Sequence, residues 1–346
     1  MWFTVENDPE FVTNLMNIVL LILVFISFIF VLYDQFYFDE TLYDLENLPT
    51  TNPRKITYYI EPMVNTQHPE EFPSIFKQPT VTLTVVIPAY NESLRLPDML
   101  KDTIDYLRNR QQNDSGFTFE IIVVDDGSKD NTADLTIKFA NSNPEVRLLR
   151  QPFNMGKGAA VQAGCLHARG KMMLMVDADG ATKISELALL ESKYFDLYRN
   201  NQRVVVVGSR ALLDGQMKAD RTFVRKLLGK AFHILIYISG VRGIKDTQCG
   251  FKLFSREAAR WLFPNQRIQR WCFDPELLVI ARKKDMAVAE IPVEWHEIPG
   301  SKMRISAMFK MAMDLLKIAV FYGLGLWDIR MKESDSFVRD ADLLIM

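Results

Sequence analysis

The chain has 346 residues, of which 48% are hydrophobic and 24% are charged, as in a globular protein with some extra apolar surface. Its net charge of -2 argues against a nucleic-acid partner. The three cysteines (Cys165, Cys249 and Cys272) are odd in number and lack metal-ligand spacing, so we expect buried free thiols rather than a metal site or a disulfide framework.

The first feature along the chain is an uncharged apolar segment, residues 15–33. At ~1.5 Å per helical residue, its length approaches the ~30 Å hydrocarbon core of a bilayer. Acidic residues precede it and bulky aromatic residues follow it, which does not fit a cleaved signal peptide. We therefore expect an N-terminal flank over 1–14 and a transmembrane anchor over 15–33, rather than a signal peptide or a buried helix.

The orientation of this anchor follows from the charges around it. The N-terminal flank has no Lys or Arg, whereas Arg54 and Lys55 follow the anchor, which places the larger part of the chain in the cytosol. A glycosylation sequon at Asn91 lies inside the candidate site described below, where a glycan would block binding. This also favours a cytosolic catalytic domain.

A proline-containing linker spans residues 34–79, and an alternation of strand and helix patterns begins at Val81. This alternation predicts an α/β domain over 80–327, a mostly parallel sheet with helices on both faces, followed by a polar tail over 328–346. In such sheets, ligands bind beyond the carboxyl ends of the strands. The predicted strands are 81–88, 119–125, 146–150, 172–176 and 204–207, and the predicted helices lie near 97–110, 132–141, 158–168 and 184–199.

Two polar motifs follow the first two predicted strands. After the first strand, Tyr90 can stack on a base and Glu92 can accept a hydrogen bond, although the motif alone also fits an ordinary strand-to-helix turn. No G-x-G-x-x-G follows it, which argues against a dinucleotide-binding domain. After the second strand, Asp125 and Asp126 are adjacent carboxylates that need a binding partner, and we assign the functional role to Asp126. Asp130 is interpreted as a cap of the next helix.

Two further motifs involve glycine and aspartate. The glycine-rich Asn154–Gly158 opens a helix and favours an anionic group, although its spacing is not that of a P-loop. The fourth strand ends in Asp177-Ala178-Asp179. Because side chains two apart on a strand point the same way, Asp177 and Asp179 can present oxygen ligands to one Mg²⁺ or Mn²⁺.

Taken together, these motifs resemble the inverting family-2 glycosyltransferases of GT-A (Rossmann-like) fold. The resemblance extends over residues 80–322 and is closest to the branch that transfers a sugar to a polyprenyl phosphate. The matching strings are VVIPAYNE (85–92), VVDDGS (123–128), NMGKGAAV (154–161), DAD (177–179), DTQCGFKLF (246–254) and EWHEIPGSK (294–302).

The resemblance implies transfer of glucose from UDP-glucose to dolichyl phosphate at the endoplasmic reticulum membrane, for lipid-linked oligosaccharide assembly and protein N-glycosylation. It also implies that Arg210 and Lys302 contact the donor phosphates and that Ala178 contacts the donor through its backbone. His296 replaces an arginine of related mannosyl transferases, which puts a phosphate role there in doubt. The residues implied to hold the nucleoside are Pro88, Tyr90, Glu92, Val124 and Asp126.

Two segments near the C-terminal half are candidates for the membrane surface. Residues 221–240 are basic and amphipathic, which is typical of an interfacial helix. Such a helix would place Arg225 at the acceptor phosphate, although a charged face on a packed helix is the alternative. Charged residues interrupt the apolar stretch 305–327, so we expect an interfacial or core helix there rather than a second membrane span.

A lipid phosphate acceptor needs little help from a base, because it is already mostly anionic at pH 7. Asp246 and Asp274 are spare carboxylates, and either would serve as base if the acceptor were a sugar hydroxyl. The alternative within this fold is a different donor, such as GDP-mannose, or a different lipid or hydroxyl acceptor. A non-catalytic membrane scaffold is disfavoured because all four aspartates of the two acidic pairs are present. Nothing in the sequence indicates an oligomeric state.

Overall fold

The computed structural model describes residues 73–212, 236–296 and 305–330, with side chains in the last segment from residue 310 onward. The predicted anchor over 15–33 lies outside the described residues. So do Arg225, Lys302, most of the linker and most of the polar tail.

The centre of the domain is one seven-stranded sheet with the strand order β3-β2-β1-β4-β6-β5-β7. Every pairing is parallel except those of β6, which runs antiparallel to both of its neighbours. The predicted mostly parallel sheet is therefore confirmed. The strands are β1 (Val81–Ala89), β2 (Phe119–Asp125), β3 (Val146–Arg150), β4 (Gly170–Val176), β5 (Val204–Ser209), β6 (Phe251–Ser255) and β7 (Ala287–Pro292).

Helices cover both faces of this sheet, as the sequence predicted. On one face, alternate β1 residues such as Leu83 and Val85 join a core that contains Leu100 of α1 and Leu190 of α4. On the other face, Gly164 of α3 lets that helix pack directly against β1 and β2. The helices are α1 (Leu96–Asn113), α2 (Thr132–Ser142), α3 (Lys157–Leu166), α4 (Leu187–Tyr198), α5 (Arg256–Leu262), α6 (Phe273–Lys283) and α7 (Ile305–Gly323).

The predicted elements lie close to the observed ones up to β5, with ends that differ by a few residues. The antiparallel strand β6 was not predicted. It has a consequence for the site, because an antiparallel strand begins at the edge where its parallel neighbours end. The residues that precede β6, from Asp246 to Gly250, therefore lie at the carboxyl edge of the sheet.

The order of the strands reverses between β1 and β4, because β1 leads to β2 on one side while β4 lies on the other. Such a switch point opens a crevice at the carboxyl edge of an α/β sheet, where ligands bind. The polar motifs after β1, β2 and β4 all lie at this edge, as the sequence predicted.

The last helix, α7, packs on the domain through buried residues that include Met311, Leu315 and Ile318. Its Tyr322 hydroxyl also lies 2.9 Å from the buried Glu276 carboxylate of α6. The structure thus supports the core-helix reading of this segment. Within 73–212, 236–296 and 305–330, no helix is long and apolar enough to cross a bilayer.

The three cysteines are free and buried, as the sequence predicted. Burial raises the pKa of the Cys165 thiol well above its ordinary value and that of Cys249 to about 11. These thiols are therefore protonated packing groups at neutral pH.

Candidate active site

The Asp-Ala-Asp motif lies at the carboxyl edge, immediately after β4. The backbone N–H of Asp177 donates to the carbonyl of Gly250 (3.1 Å), and Oδ1 of Asp179 accepts from the N–H of Ala181 (3.0 Å). The motif forms a turn and not a strand, so the strand-alternation argument for its two carboxylates was wrong in detail. The turn nevertheless keeps both carboxylates within electrostatic reach of Glu92 and Lys157.

Lys157, the first residue of α3, pairs with the first of these aspartates. Its Nζ lies 2.6 Å from Oδ1 of Asp177, and the side chain is only 19% exposed. Burial alone lowers the pKa of Lys157, but the nearby carboxylates of Asp177 and Asp274 outweigh it and raise the pKa above its ordinary value. The ammonium is therefore charged at neutral pH.

A second lysine lies deeper, beneath the edge. Nζ of Lys252 is 2.6 Å from Oδ1 of Asp274, and both side chains are almost fully buried. Lys252 also donates to the carbonyl of Cys249, next to Gly250. The pair thus fixes the segment that precedes β6, against which Asp177 is placed.

Glu92, a predicted nucleoside ligand after β1, forms a two-bonded ion pair with Arg95 whose Nε–Oε2 distance is 2.7 Å. A second nitrogen of Arg95 lies 3.9 Å from Oδ2 of Asp179. Burial, together with the charges of Asp179 and Asp177, raises the pKa of Glu92 despite the opposing effect of Arg95. Glu92 therefore belongs to the same acidic cluster as the Asp-Ala-Asp motif.

The turns after β1 and β2 are bonded to each other. Asn91, at φ +56°, donates its backbone N–H to Ser128 Oγ (2.9 Å) and accepts from the N–H of Lys129 through Oδ1 (2.8 Å). The predicted capping role of Asp130 is confirmed, because its Oδ1 accepts from the N–H of Thr132, the first residue of α2. The Tyr90 ring is 40% exposed at this edge, so its stacking on a base stays a prediction.

The carboxylate of Asp126 forms its hydrogen bonds within the protein. It is buried and accepts from the N–H groups of Met155 (2.6 Å) and Gly156 (3.0 Å). Burial raises its pKa to about 6, against the lowering effect of these two amides. Asp126 therefore holds the loop that leads into α3, and its predicted contact with a nucleoside stays a prediction.

The predicted anion site on the backbone of this glycine-rich segment is wrong. The N–H groups of Gly158 and Ala159 donate to the carbonyls of Arg270 and Gln269, so they are already satisfied. A Cβ atom on Gly158 would lie 2.8 Å from the carbonyl oxygen of Gln269. The glycines serve close backbone packing, and the charged group presented to the edge is the Lys157 side chain.

Two of the nucleoside contacts that the resemblance implied involve buried side chains. Val124 is fully buried, and a Cβ atom on Gly164 of α3 would lie 2.9 Å from its Cγ2. Its side chain faces Gly164 of α3, and its predicted contact with the nucleoside stays a prediction. Pro88, next to it across the β1–β2 pairing, is also buried. The Ala178 side chain is buried as well, and its predicted backbone contact is unaffected by this.

Arg210 follows β5 at the same edge and binds Asp246. Nε and Nη2 of Arg210 donate to the two carboxylate oxygens (2.7 and 2.8 Å), and its backbone N–H donates as well (3.0 Å). Its guanidinium also lies over the Trp295 ring, 5.5 Å from the centroid. Burial raises the pKa of Asp246, but Arg210 outweighs it and holds the pKa below its ordinary value.

These pairings change the reading of the two spare carboxylates. Asp246 is an ionised partner of Arg210, and Asp274 is a buried partner of Lys252. In the structure, each of these carboxylates is held by a cation. Both were predicted as candidate catalytic residues, and that role stays a prediction.

The donor set at Asp177 and Asp179 fits a hard divalent cation, because carboxylate oxygens are the ligands that Mg²⁺ and Mn²⁺ prefer. Among the residues that the structure describes, no group of three His, Cys, Asp or Glu side chains is arranged to enclose a metal. Two carboxylates fit a cation that takes its other ligands from substrate phosphates and water.

Comparison with known proteins agrees with this geometry. The model of the family "Glycosyl transferase family 2" matches residues 84–263, just over half of the chain. The chain belongs to glycosyltransferase family 2.

Several similar proteins are named dolichyl-phosphate beta-glucosyltransferase. One from Trichomonas vaginalis is 56% identical over 97% of this chain and 100% of its own length. The human protein is 45% identical over 75% of this chain and 81% of its own length. The Saccharomyces cerevisiae protein is 41% identical, over 71% and 77%.

Among solved structures, mannosyl-3-phosphoglycerate synthase from Rubrobacter xylanophilus is similar with a TM-score of 0.50. The match covers 73% of this chain and 78% of the other, at 17% sequence identity. At that identity the likeness shows a shared fold and nothing about the substrate.

Proposed function

We propose that this chain transfers glucose from UDP-glucose to dolichyl phosphate with inversion, giving dolichyl β-D-glucosyl phosphate. The observation that carries the proposal is the 41–57% identity to proteins named for this reaction, over 71–97% of the chain. The acidic cluster at the carboxyl edge supports it, since this is where a GT-A site is expected. The product would serve lipid-linked oligosaccharide assembly and protein N-glycosylation.

On the donor side, we assign Asp177 and Asp179 to a bound Mg²⁺ or Mn²⁺. When bound, this cation would neutralise the charge that develops on the leaving diphosphate. The exposed ring of Tyr90 stacks on the uracil, and Arg210 and Lys302 contribute positive charge to the phosphates. The pairing of Arg210 with Asp246 keeps its guanidinium oriented for this contact.

The reaction is a single displacement. A phosphate oxygen of the acceptor attacks C1 of glucose from the face opposite the donor diphosphate. As that C–O bond forms, the bond from C1 to the diphosphate oxygen breaks, and UDP leaves with the electron pair. The acceptor is already mostly anionic at pH 7, so no general base is required. This agrees with the ion-paired state of Asp246 and Asp274.

The membrane arrangement is part of the proposal. An anchor over 15–33 would hold the catalytic domain at the cytosolic face of the endoplasmic reticulum, and Arg225 in the basic segment 221–240 would bind the acceptor phosphate at the bilayer surface. Arg225→Ala should then raise the KM for dolichyl phosphate more than that for UDP-glucose. A glycan found on Asn91 in cells would contradict the cytosolic orientation.

A radiolabel transfer assay tests the reaction. Purified full-length protein in detergent is given dolichyl phosphate, Mn²⁺ or Mg²⁺ and either UDP-glucose or GDP-mannose, with an EDTA control. We expect EDTA-sensitive label in the lipid fraction from UDP-glucose alone. Label from GDP-mannose alone would move the chain to the mannosyl transferases, and no lipid label from either donor would contradict the acceptor.

A matched pair of variants tests the metal assignment in the same assay. Asp179→Asn should abolish Mn²⁺-dependent transfer without changing the thermal unfolding midpoint by more than a few degrees. Asp196→Asn, which makes the same chemical change on the exposed surface of α4, should leave transfer unchanged. Full activity of Asp179→Asn would remove this residue from the metal site.

A further inference from the structure

The ammonium group of Lys157 lies where a divalent cation at Asp177 would exert its charge. It is 2.6 Å from Oδ1 of Asp177, and its electrostatic partners also include Asp274 and Asp179. Lys157 is thus the charged group that the glycine-rich segment presents to the predicted metal ligands.

We propose that Lys157 is a resident cation, which neutralises Asp177 in the free enzyme and turns to the donor diphosphate when the metal binds. Metal binding and nucleotide binding are coupled by this exchange. The inference rests on the proposed function, because it needs a donor with a diphosphate and a metal at Asp177 and Asp179.

Asp177 is the carboxylate that Lys157 neutralises. Asp274 already has a buried partner in Lys252, at 2.6 Å, so it does not need a second cation. Lys252 also donates to the carbonyl of Cys249 and is thereby held in place. The charge of Lys157 is thus available to the Asp-Ala-Asp motif.

The charges around the Asp-Ala-Asp motif nearly balance in the free protein. Lys157, Lys252, Arg95 and Arg210 are four cations among five carboxylates, those of Asp177, Asp179, Asp274, Glu92 and Asp246, so the free cluster has one net negative charge. A divalent cation alone would give the cluster a net positive charge and would place two cations beside the same carboxylate. A diphosphate that arrives with the metal supplies two or more negative charges and removes this repulsion.

The Lys157 side chain can move between these partners. Lysine carries three donor hydrogens on a flexible four-carbon stem, so its ammonium can change partners while its backbone stays fixed. The backbone here is fixed, because the N–H groups of Gly158 and Ala159 donate to the carbonyls of Arg270 and Gln269. Only the side chain of Lys157 needs to move from Asp177 to the diphosphate.

The test measures Mn²⁺ binding directly, from the electron paramagnetic resonance signal of free Mn²⁺, with and without UDP. We expect UDP to tighten Mn²⁺ binding to the wild-type protein by about tenfold or more, within the usual range of couplings between two ligands. In Lys157→Met, Mn²⁺ alone should bind more tightly than to the wild type, and the effect of UDP should fall below about threefold. Lys157→Arg retains the cation and should retain part of the coupling.

The sign of the first effect separates this role from a structural one. Loss of a structural side chain would weaken Mn²⁺ binding both with and without UDP, and either that result or an unchanged coupling would overturn the proposal. Lys171→Met, on the exposed start of β4, is the matched control and should behave as wild type. If Lys157→Met does not fold, Lys157→Gln replaces it under the same criteria.

The outcome is independent of the acceptor and of the sugar, because the binding experiment uses UDP alone. The wild-type transfer assay is run beside it. Glucose transfer to the lipid without coupling between Mn²⁺ and UDP binding would refute the role of Lys157 and leave the proposed function intact. Coupling without glucose transfer would refute the proposed acceptor and leave the role of Lys157 intact.

Discussion

Gly250 lies directly against the carboxylate of Asp177. A Cβ atom at position 250 would overlap this carboxylate, approaching even the farther oxygen, Oδ1, to 2.6 Å. The carbonyl of Gly250 also accepts the backbone N–H of Asp177. The loop before the antiparallel strand β6 therefore sets both the backbone and the side-chain position of the first predicted metal ligand.

Replacing Gly250 with alanine should lower kcat by about 10²-fold, the scale of a ~1 Å misplacement at a reacting centre. The cause is collision and not backbone strain, because the φ angle of Gly250 lies outside the left-handed region. Transfer rates at saturating substrates give the measurement. Gly323→Ala is the control, since a Cβ there meets nothing within 4 Å. Wild-type kcat in Gly250→Ala would show that Asp177 tolerates displacement.

The buried pair of Lys252 and Asp274 leads to a prediction about stability. Asp274→Asn removes one partner of a buried pair and should cost about 3–5 kcal/mol, measured as a lower unfolding midpoint in detergent. The double variant Lys252→Met with Asp274→Leu removes both charges and should recover much of that loss. A double variant less stable than Asp274→Asn would mean that the bond from Lys252 to the Cys249 carbonyl matters more than the charge pair.

Much of the fold could be predicted from local sequence patterns. The five strands up to β5 and the helices between them follow from short β-branched runs that alternate with helical stretches. The capping role of Asp130 is likewise local, because the carboxylate and the helix it serves are two residues apart. For the same reason, the carboxyl edge could be named as the site before any contact was known.

The features that could not be predicted are contacts between residues that are distant in the sequence. Nothing near Lys157 in sequence indicates Asp177 as its partner, and nothing near Arg210 indicates Asp246. Asp126 was assigned as a ligand residue because adjacent carboxylates at the end of a strand need a binding partner. The two amides that it binds belong to a loop 29 and 30 residues away. One signal was available for β6: FKLFS is a short run with two aromatic residues and a leucine, and all five of its residues are buried in the structure.

The pairing of Arg210 with Asp246 predicts a specific pH dependence. Because the pKa of Asp246 is held below its ordinary value of 3.8, the pair stabilises the folded state above that value, and its contribution is lost as the pH falls through the lower folded pKa. The unfolding midpoint of Asp246→Asn should therefore lie below that of the wild type at pH 7. The difference should shrink only below about pH 4. A gap that is constant down to pH 3 would contradict an ionised Asp246.

Glu276 predicts the opposite dependence. This carboxylate of α6 is fully buried and accepts from the N–H groups of Arg267 and Ile268 and from the Tyr322 hydroxyl. Burial outweighs these bonds and raises its pKa from 4.5 to about 7. The folded state therefore holds this proton more tightly than the unfolded chain does, and the resulting stabilisation is lost as the pH rises through about 7.

The wild-type protein should accordingly be more stable at pH 6 than at pH 7.5, by about 1 kcal/mol from this group. Glu276→Gln cannot titrate and should remove that part of the pH dependence, while Glu257→Gln, in a partly exposed pair with Arg260, should not. Denaturant unfolding at the two pH values gives the comparison. If Glu276→Gln keeps the full wild-type difference between pH 6 and 7.5, then Glu276 is already ionised at pH 6 and the loop at Arg267 and Ile268 is held by a carboxylate throughout this range.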